Sequence, residues 1–241
     1  MAAVLGLVSL AARPARAAEG LYLNWTDCAL GPTATSDRAF ACNSNFGQEE
    51  LFCAFTMPAP TNNVVSVEIV VDMQNATSPL PDWWRFDTGG CRPNDLSVAA
   101  DFSGMTSCSD MWGGAPRTAM VQGYTPGEPR LGTNQARIKV TAWVLPQDAV
   151  TLDGTTMYYA VRVIVKNDLT TGSPSCVGCG SAACLVLNSI QIGRVSGGDI
   201  FLQVPGAGDA NWARWQGGLG ADCAAVPVRA RAWGQLKSLY R

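Results

Sequence analysis

The residues best equipped for chemistry crowd one stretch, "SCVGCGSAACLVLNSIQI" at 175–192, where Cys176, Cys179 and Cys184 fall within nine positions. Such thiols can ligate a metal, shuttle electrons or close disulfides. A zinc site needs four ligands. The stretch offers three, Cys223 could be the fourth, and the chain holds no histidine to serve instead. A redox CxxC needs a thioredoxin-like βαβ setting, and the flanks here are strand-like. Structural disulfides are the preferred reading. Cys28 with Cys42 and Cys91 with Cys108 are the expected local pairs, closing loops of about 15 and 18 residues worth about 3 kcal/mol each. Cys176, Cys179, Cys184 and Cys223 would then form two more bridges, with the pairing open. Cys53 is left over. In "LFCAFTM" it alternates with Leu51 and Phe55, so it reads as a buried free thiol acting as a small apolar residue.

The absence of histidine removes a Ser-His-Asp triad, a Cys-His pair and any His-ligated metal. What remains is carboxylates, tyrosines, lysines and thiols. A glycosidase needs two carboxylates about 5–10 Å apart across a cleft. Glu68 with Asp72, or Glu49 with Glu50, can be nominated, but the chain has 19 acidic residues, and Glu68 and Asp72 share what reads as the polar face of one strand. Asp72, Asp82, Asp87, Asn94, Asp95 and Asp101 are oxygen ligands suited to calcium. They match no loop consensus, and turns favour Asp and Asn for their own reasons. No cofactor is expected beyond this calcium option, and any metal ligand set stays open.

The eight tryptophans offer binding chemistry instead. In "SPLPDWWRFDTGGC" two are adjacent. On a strand, neighbours point to opposite faces. Trp84 shares parity with Phe86 and is expected in the core, which leaves Trp83 as an outward platform for a sugar ring. Trp112 and Trp143 are the further candidate contacts, with Trp212 and Trp215 able to join them. "NWT" at Asn24 and "NAT" at Asn75 match the glycosylation sequon by pattern only.

These residues need a scaffold, and the strand signals are strong. "VVSVEIVVDM" sets Val65, Val67, Ile69 and Val71 against Ser66, Glu68 and Asp72. "ARIKVTAWVL" sets Ile138, Val140, Ala142 and Val144 against Lys139, Thr141 and Trp143. "MYYAVRVIVKN" sets Tyr159, Val161, Val163 and Val165 against Arg162 and Lys166. Period two with β-branched enrichment marks half-buried strands. "CLVLNSIQIGRV" begins smooth, so its start is expected to be covered on both faces. Five weaker candidates and turn-rich connections bring the count to nine or ten strands without alternating helices. The expected fold is all-β, an antiparallel β-sandwich or jelly roll, as one domain over 18–241. The tail "WGQLKSLYR" places Trp233, Leu236 and Tyr240 on one helical face and predicts a short C-terminal helix.

Ahead of that domain, Ala2–Ala12 is an apolar run too short to span a bilayer, followed by Ala15-Arg16-Ala17. This reads as a signal peptide over 1–17, although no basic residue follows Met1. The expected location is secreted or periplasmic, where thiols are oxidised. Removing Arg13 and Arg16 with the leader leaves 15 basic against 19 acidic residues. No basic cluster exists, so nucleic acid is a poor partner, and no membrane span is expected in the mature chain.

"LYLNWTDC", "LPDWWRF", "CLVLNSIQI" and "WGQLKSLYR" resemble a group of uncharacterised secreted bacterial proteins. The resemblance implies a signal peptide and a disulfide-bonded β domain, and it brings no activity or site residue with it. Cys53 departs from the cysteine pattern of that group, in keeping with its reading as the unpaired one. The functional expectation is a disulfide-stabilised sandwich with a structural, adhesive or ligand-binding role and no catalysis. Polysaccharide or cell-surface components are its expected partners. The alternatives are a carbohydrate-binding module using an exposed Trp, and a histidine-free, carboxylate-based hydrolase.

Overall fold

A computed structural model of the chain describes residues 19–25, 28, 35–127, 131–203, 205, 210–221 and 223. The expected leader, and the helix expected over Trp233, Leu236 and Tyr240, lie outside these residues. Within them the fold is built almost wholly of strands. Alternation does the work: a strand that buries every second residue must face another layer, and here two sheets face each other.

The strands are β1 (Gly20–Trp25), β2 (Asp37–Arg38), β3 (Gln48–Thr56), β4 (Thr61–Asn75), β5 (Leu96–Ala99), β6 (Arg117–Pro126), β7 (Gln135–Val144), β8 (Val150–Leu152), β9 (Met157–Lys166), β10 (Ala183–Arg194), β11 (Ile200–Leu202) and β12 (Trp212–Trp215). The smaller sheet runs β1-β3-β9-β5. The larger runs β2-β12-β10-β4-β7-β6, with β11 on β10 and β8 on β4. Every pairing is antiparallel except the two-residue contact of β2 with β12. Three-residue 3₁₀ turns are the only helical pieces among the described residues.

The core lies between the sheets. Leu51, Cys53, Phe55, Val161, Val163 and Val165 face it from the smaller sheet, and Val67, Ile69, Val71, Ile138, Val140, Ala142, Leu185 and Ile190 from the larger. The alternation expected in β7 holds throughout. In β9 it fails at one place. Opposite Cys53 and Ala54 of β3, β9 carries one extra residue, Ala160, which shifts the register, so Tyr159 joins Phe52, Ala54 and Phe102 on the outer side of the smaller sheet. An added residue turns the following side chain to the other face. A second bulge, between Leu187 and Ser189 of β10, keeps Leu187 and Ile190 both inward and makes Asn188, which is buried and donates to Asp72, the extra residue. The first six residues of β10 are buried without interruption, covered on both faces as the smooth sequence implies.

The bridges are Cys28–Cys108, Cys42–Cys179, Cys91–Cys176 and Cys184–Cys223. This corrects the local pairs Cys28–Cys42 and Cys91–Cys108; of the two bridges expected within Cys176, Cys179, Cys184 and Cys223, Cys184–Cys223 forms, while Cys176 and Cys179 pair outside that set. The bridges span 80, 137, 85 and 39 residues. In the chain-entropy picture such loops are worth about 4–5 kcal/mol each. Apart from Cys184 in β10, they tie connecting segments to one another across the chain, and sequence proximity says nothing about those neighbours. Cys53 is buried in the core without a partner sulfur.

The two outer faces are finished differently. That of the smaller sheet carries a second apolar cluster, with Phe52, Phe102 and Tyr159, beneath the segment that holds Cys108. Among the described residues, that of the larger sheet carries an apolar cluster at one end, where Cys184, Val186, Ala221, Trp212 and Cys223 pack together.

Candidate functional site

The tryptophans sort cleanly by the backbone that carries them. Asp82–Trp84 is a 3₁₀ turn begun after Pro81, not a strand, so the two indoles do not point to opposite faces. Trp83 and Trp84 are 0% and 1% exposed. Trp83 packs on Trp84 and Trp215, each ring centre 4.9 Å away. Its Nε1 donates to Thr170 Oγ1 at 2.9 Å, and the Arg92 guanidinium lies 3.9 Å from the centre of its ring. The platform expected at Trp83 is therefore excluded: this indole is a core side chain. Trp112 is also buried, in a turn where Asp110 Oδ1 accepts from its backbone N–H, so it is no platform either. Trp25 and Trp215 are buried and Trp212 is half-buried.

Trp143 is different. It lies on β7 with its backbone opposite Ser66 of β4 and Thr118 of β6, and Ser66 in turn lies opposite Gly193 of β10. Strand parity puts this row on the outer face. The indole is half-buried, and no described residue accepts a hydrogen bond from its Nε1. The adjacent row reads Phe201, Gln191, Glu68, Thr141 and Met120 across five strands. Phe201 and Met120 are 43% and 44% exposed. Leu145, just past β7, and Val195, in the β10–β11 turn, are also exposed. Four of the seven large apolar side chains at the surface of the described residues thus gather around this half of one face.

Between them is a polar groove of about 270 Å³, lined by residues that include Ser66, Glu68, Thr141, Gln191, Gly193 and Asp199. Gly193 makes the space: a Cβ there would collide with Ser66 Oγ. The lining is partly fixed. Gln191 Nε2 donates to Asp199 Oδ2 at 2.6 Å. Lys139 Nζ lies 3.2 Å from Glu68 Oε1, with both side chains nearly half exposed. Arg194 donates to the carbonyls of Gly197 and Gly198 and braces the turn that forms one wall.

The carboxylates considered for acid–base chemistry are spread apart. Asp72 is fully buried, accepts from Arg137 Nε and Nη2 at 2.6 Å each, and accepts from Asn188 Nδ2 at 2.7 Å. Glu68 stands four residues away on the same strand, roughly 13 Å along it at the usual rise. Glu50 pairs with Arg162 at 2.7 Å. Its neighbour Glu49 lines a separate cleft of about 50 Å³ with Phe40, Asn167 and Trp215, where burial raises the pKa of its carboxyl. Among the acids considered for calcium, Asp72, Asp87, Asp95 and Asp101 each pair with an arginine. Among the described residues no group of three acidic or thiol side chains is placed to hold a metal ion. Asn24 and Asn75 are buried.

Sequence patterning identified Trp143 and the polar strand faces carrying Ser66, Glu68 and Thr141. It missed Gly193, Gln191, Asp199, Phe201 and Met120. Their shared position depends on the order β10-β4-β7-β6, for which the only sequence signal is that each lies at polar parity in its own strand. The chain matches no protein-family model and no curated protein.

Proposed function

We propose that this chain is a secreted or periplasmic domain that binds without catalysis, and that its contact surface is the half of the larger sheet's outer face that no other described residue covers. One observation carries the reading. That surface combines a half-exposed tryptophan, four exposed apolar side chains and a polar groove, whereas the outer face of the smaller sheet carries a buried apolar cluster. Clustered apolar exposure of this kind marks interaction sites. The four disulfides suit an oxidising compartment, and long-range bridges give a frame that loses little entropy when it binds. The calcium and hydrolase alternatives have less support, because the carboxylates considered for them are mostly held by arginines.

Planting a charge in the middle of the face tests this. Labelled protein is incubated with bacterial envelope preparations, and the retained fraction is compared for the native chain, Thr141→Arg and the control Ser103→Arg on the opposite side. Thr141→Arg should abolish retention and Ser103→Arg should not. Equal retention of both variants would contradict the assignment.

A further inference from the structure

We infer that the groove lined by Ser66, Glu68, Thr141 and Gln191 is a subsite for one pyranose ring of a neutral polysaccharide, with the Trp143 indole, on the neighbouring strand opposite Ser66 and outside the groove's own lining, as a stacking surface for the same chain. This rests on the proposal that the outer face is the contact surface, and it names the ligand class.

Three features point to a sugar. The first is size. At about 270 Å³ the groove falls just below the range of roughly 300–1,000 Å³ typical for drug-sized ligands, which suits a single ring within a chain that continues along the surface. The second is the pairing of surfaces. A pyranose presents hydroxyls around its edge and C–H groups on its faces. Trp143 offers a flat apolar surface with a free N–H, in the row that contains Ser66 and Gly193. Glu68, Asp199, Gln191, Ser66 and Thr141 offer the polar rim. A carboxylate can accept from two adjacent hydroxyls at once, as it accepts two N–H groups from a guanidinium.

The third feature is charge. Glu68 and Asp199 line the groove together with Arg194, but the Arg194 Nε and Nη2 hydrogens are used on Gly197 and Gly198. Lys139 is held against Glu68. The groove therefore accepts hydrogen bonds, opposes anionic sugars and has its negative charge partly offset, so it fits a neutral polyol. A folded protein partner is less well matched. A stable protein interface buries about 800 Å² on each side around a densely apolar centre, whereas the centre here is polar and the apolar groups lie around it. Phe201 and Met120, at opposite ends of the adjacent row, lie where neighbouring rings of the same chain would pass.

The test is affinity electrophoresis through gels containing mixed-linkage β-glucan, xylan, galactomannan or amylopectin, with alginate and glycol chitosan as charged comparisons. The proteins are the native chain, Trp143→Ala, Glu68→Gln and Thr141→Arg, each with its melting temperature recorded. At least one neutral polysaccharide should retard the native chain. Trp143→Ala should weaken that binding about tenfold or more, the scale of one aromatic contact, with the melting temperature lowered by no more than about 4 °C. Glu68→Gln should weaken it by a smaller factor. Native-like retardation of both Trp143→Ala and Glu68→Gln, retardation by charged polysaccharides alone, or no retardation at all would overturn the inference. The broader reading fails separately. If no polysaccharide retards the chain, yet Thr141→Arg still abolishes envelope retention, the face remains the contact surface and the sugar assignment is wrong.

Discussion

Replacing Trp83 by alanine should remove about 5 kcal/mol of stability. Truncating a buried tryptophan costs about 3–5 kcal/mol in transfer and cavity terms. The indole also donates to Thr170 Oγ1, a bond worth about 1 kcal/mol net. Beneath it, the Arg92 guanidinium loses the ring it stacks on, a contact worth about 2 kcal/mol when desolvated. These contributions overlap, which places the total near the top of the cavity range. Arg92 would keep Asp95 and the carbonyls of Trp83 and Lys166, so its charge stays satisfied and the loss does not grow further. For a domain of this size the melting temperature should fall by about 10–20 °C. Guanidinium unfolding with disulfides intact, followed by circular dichroism, measures the free energy. Trp83→Phe and Thr170→Val separate the ring from its N–H, and Thr170→Val alone should cost about 1–3 kcal/mol, because it strands the buried indole N–H and also removes the bond from Thr170 Oγ1 to the Asn167 carbonyl. Trp143→Ala, at a half-buried position, should cost no more than about 1 kcal/mol. A Trp83→Ala variant within 1 kcal/mol of the native chain would refute the placement of this indole at the centre of the core.

Non-reducing peptide mapping should recover Cys28–Cys108, Cys42–Cys179, Cys91–Cys176 and Cys184–Cys223, and any Cys28–Cys42 or Cys91–Cys108 peptide would count against the architecture. The Cys53 thiol is fully buried and burial pushes its pKa up to about 12, so a thiol reagent at pH 8 should label it only after denaturant is added. Burial raises the pKa of the Glu49 carboxyl in the folded state, so folding favours its protonated form. The penalty for ionising it is absent below the unfolded pKa and complete above the folded one. Glu49→Gln should therefore raise the melting temperature at pH 7 and leave it nearly unchanged at pH 3, and a gain of equal size at both would show that ionisation is not the cause.

How much of this was legible in the sequence varies from strand to strand. β7 read correctly residue by residue, because it has core on one side, solvent on the other and no bulge. β9 departs from its alternation at Tyr159 because Ala160 is an extra residue opposite Cys53 and Ala54 of β3, and a bulge is a property of a pair rather than of one strand. The "DWW" stretch reads as strand by parity alone, yet Pro79 and Pro81 flank its approach, and the 3₁₀ turn sends both indoles inward. The bridges were misread for a related reason. A short loop is the natural guess when only spacing is visible, but these cysteines staple segments to partners 39 to 137 residues away. Trp143 was nominated from its own strand alone. Its groove needed Gly193 of β10 beside Ser66 of β4, an adjacency that exists only in the assembled sheet.

The most direct test is to watch the indole N–H signals of ¹⁵N-labelled protein while adding an oligosaccharide of the neutral polysaccharide that retards it. With Trp143→Phe assigning its resonance, the Trp143 signal should shift progressively and saturate, while those of Trp25, Trp83, Trp84, Trp112 and Trp215 stay in place. Shifts at the buried indoles with Trp143 unmoved would contradict the assignment of this face.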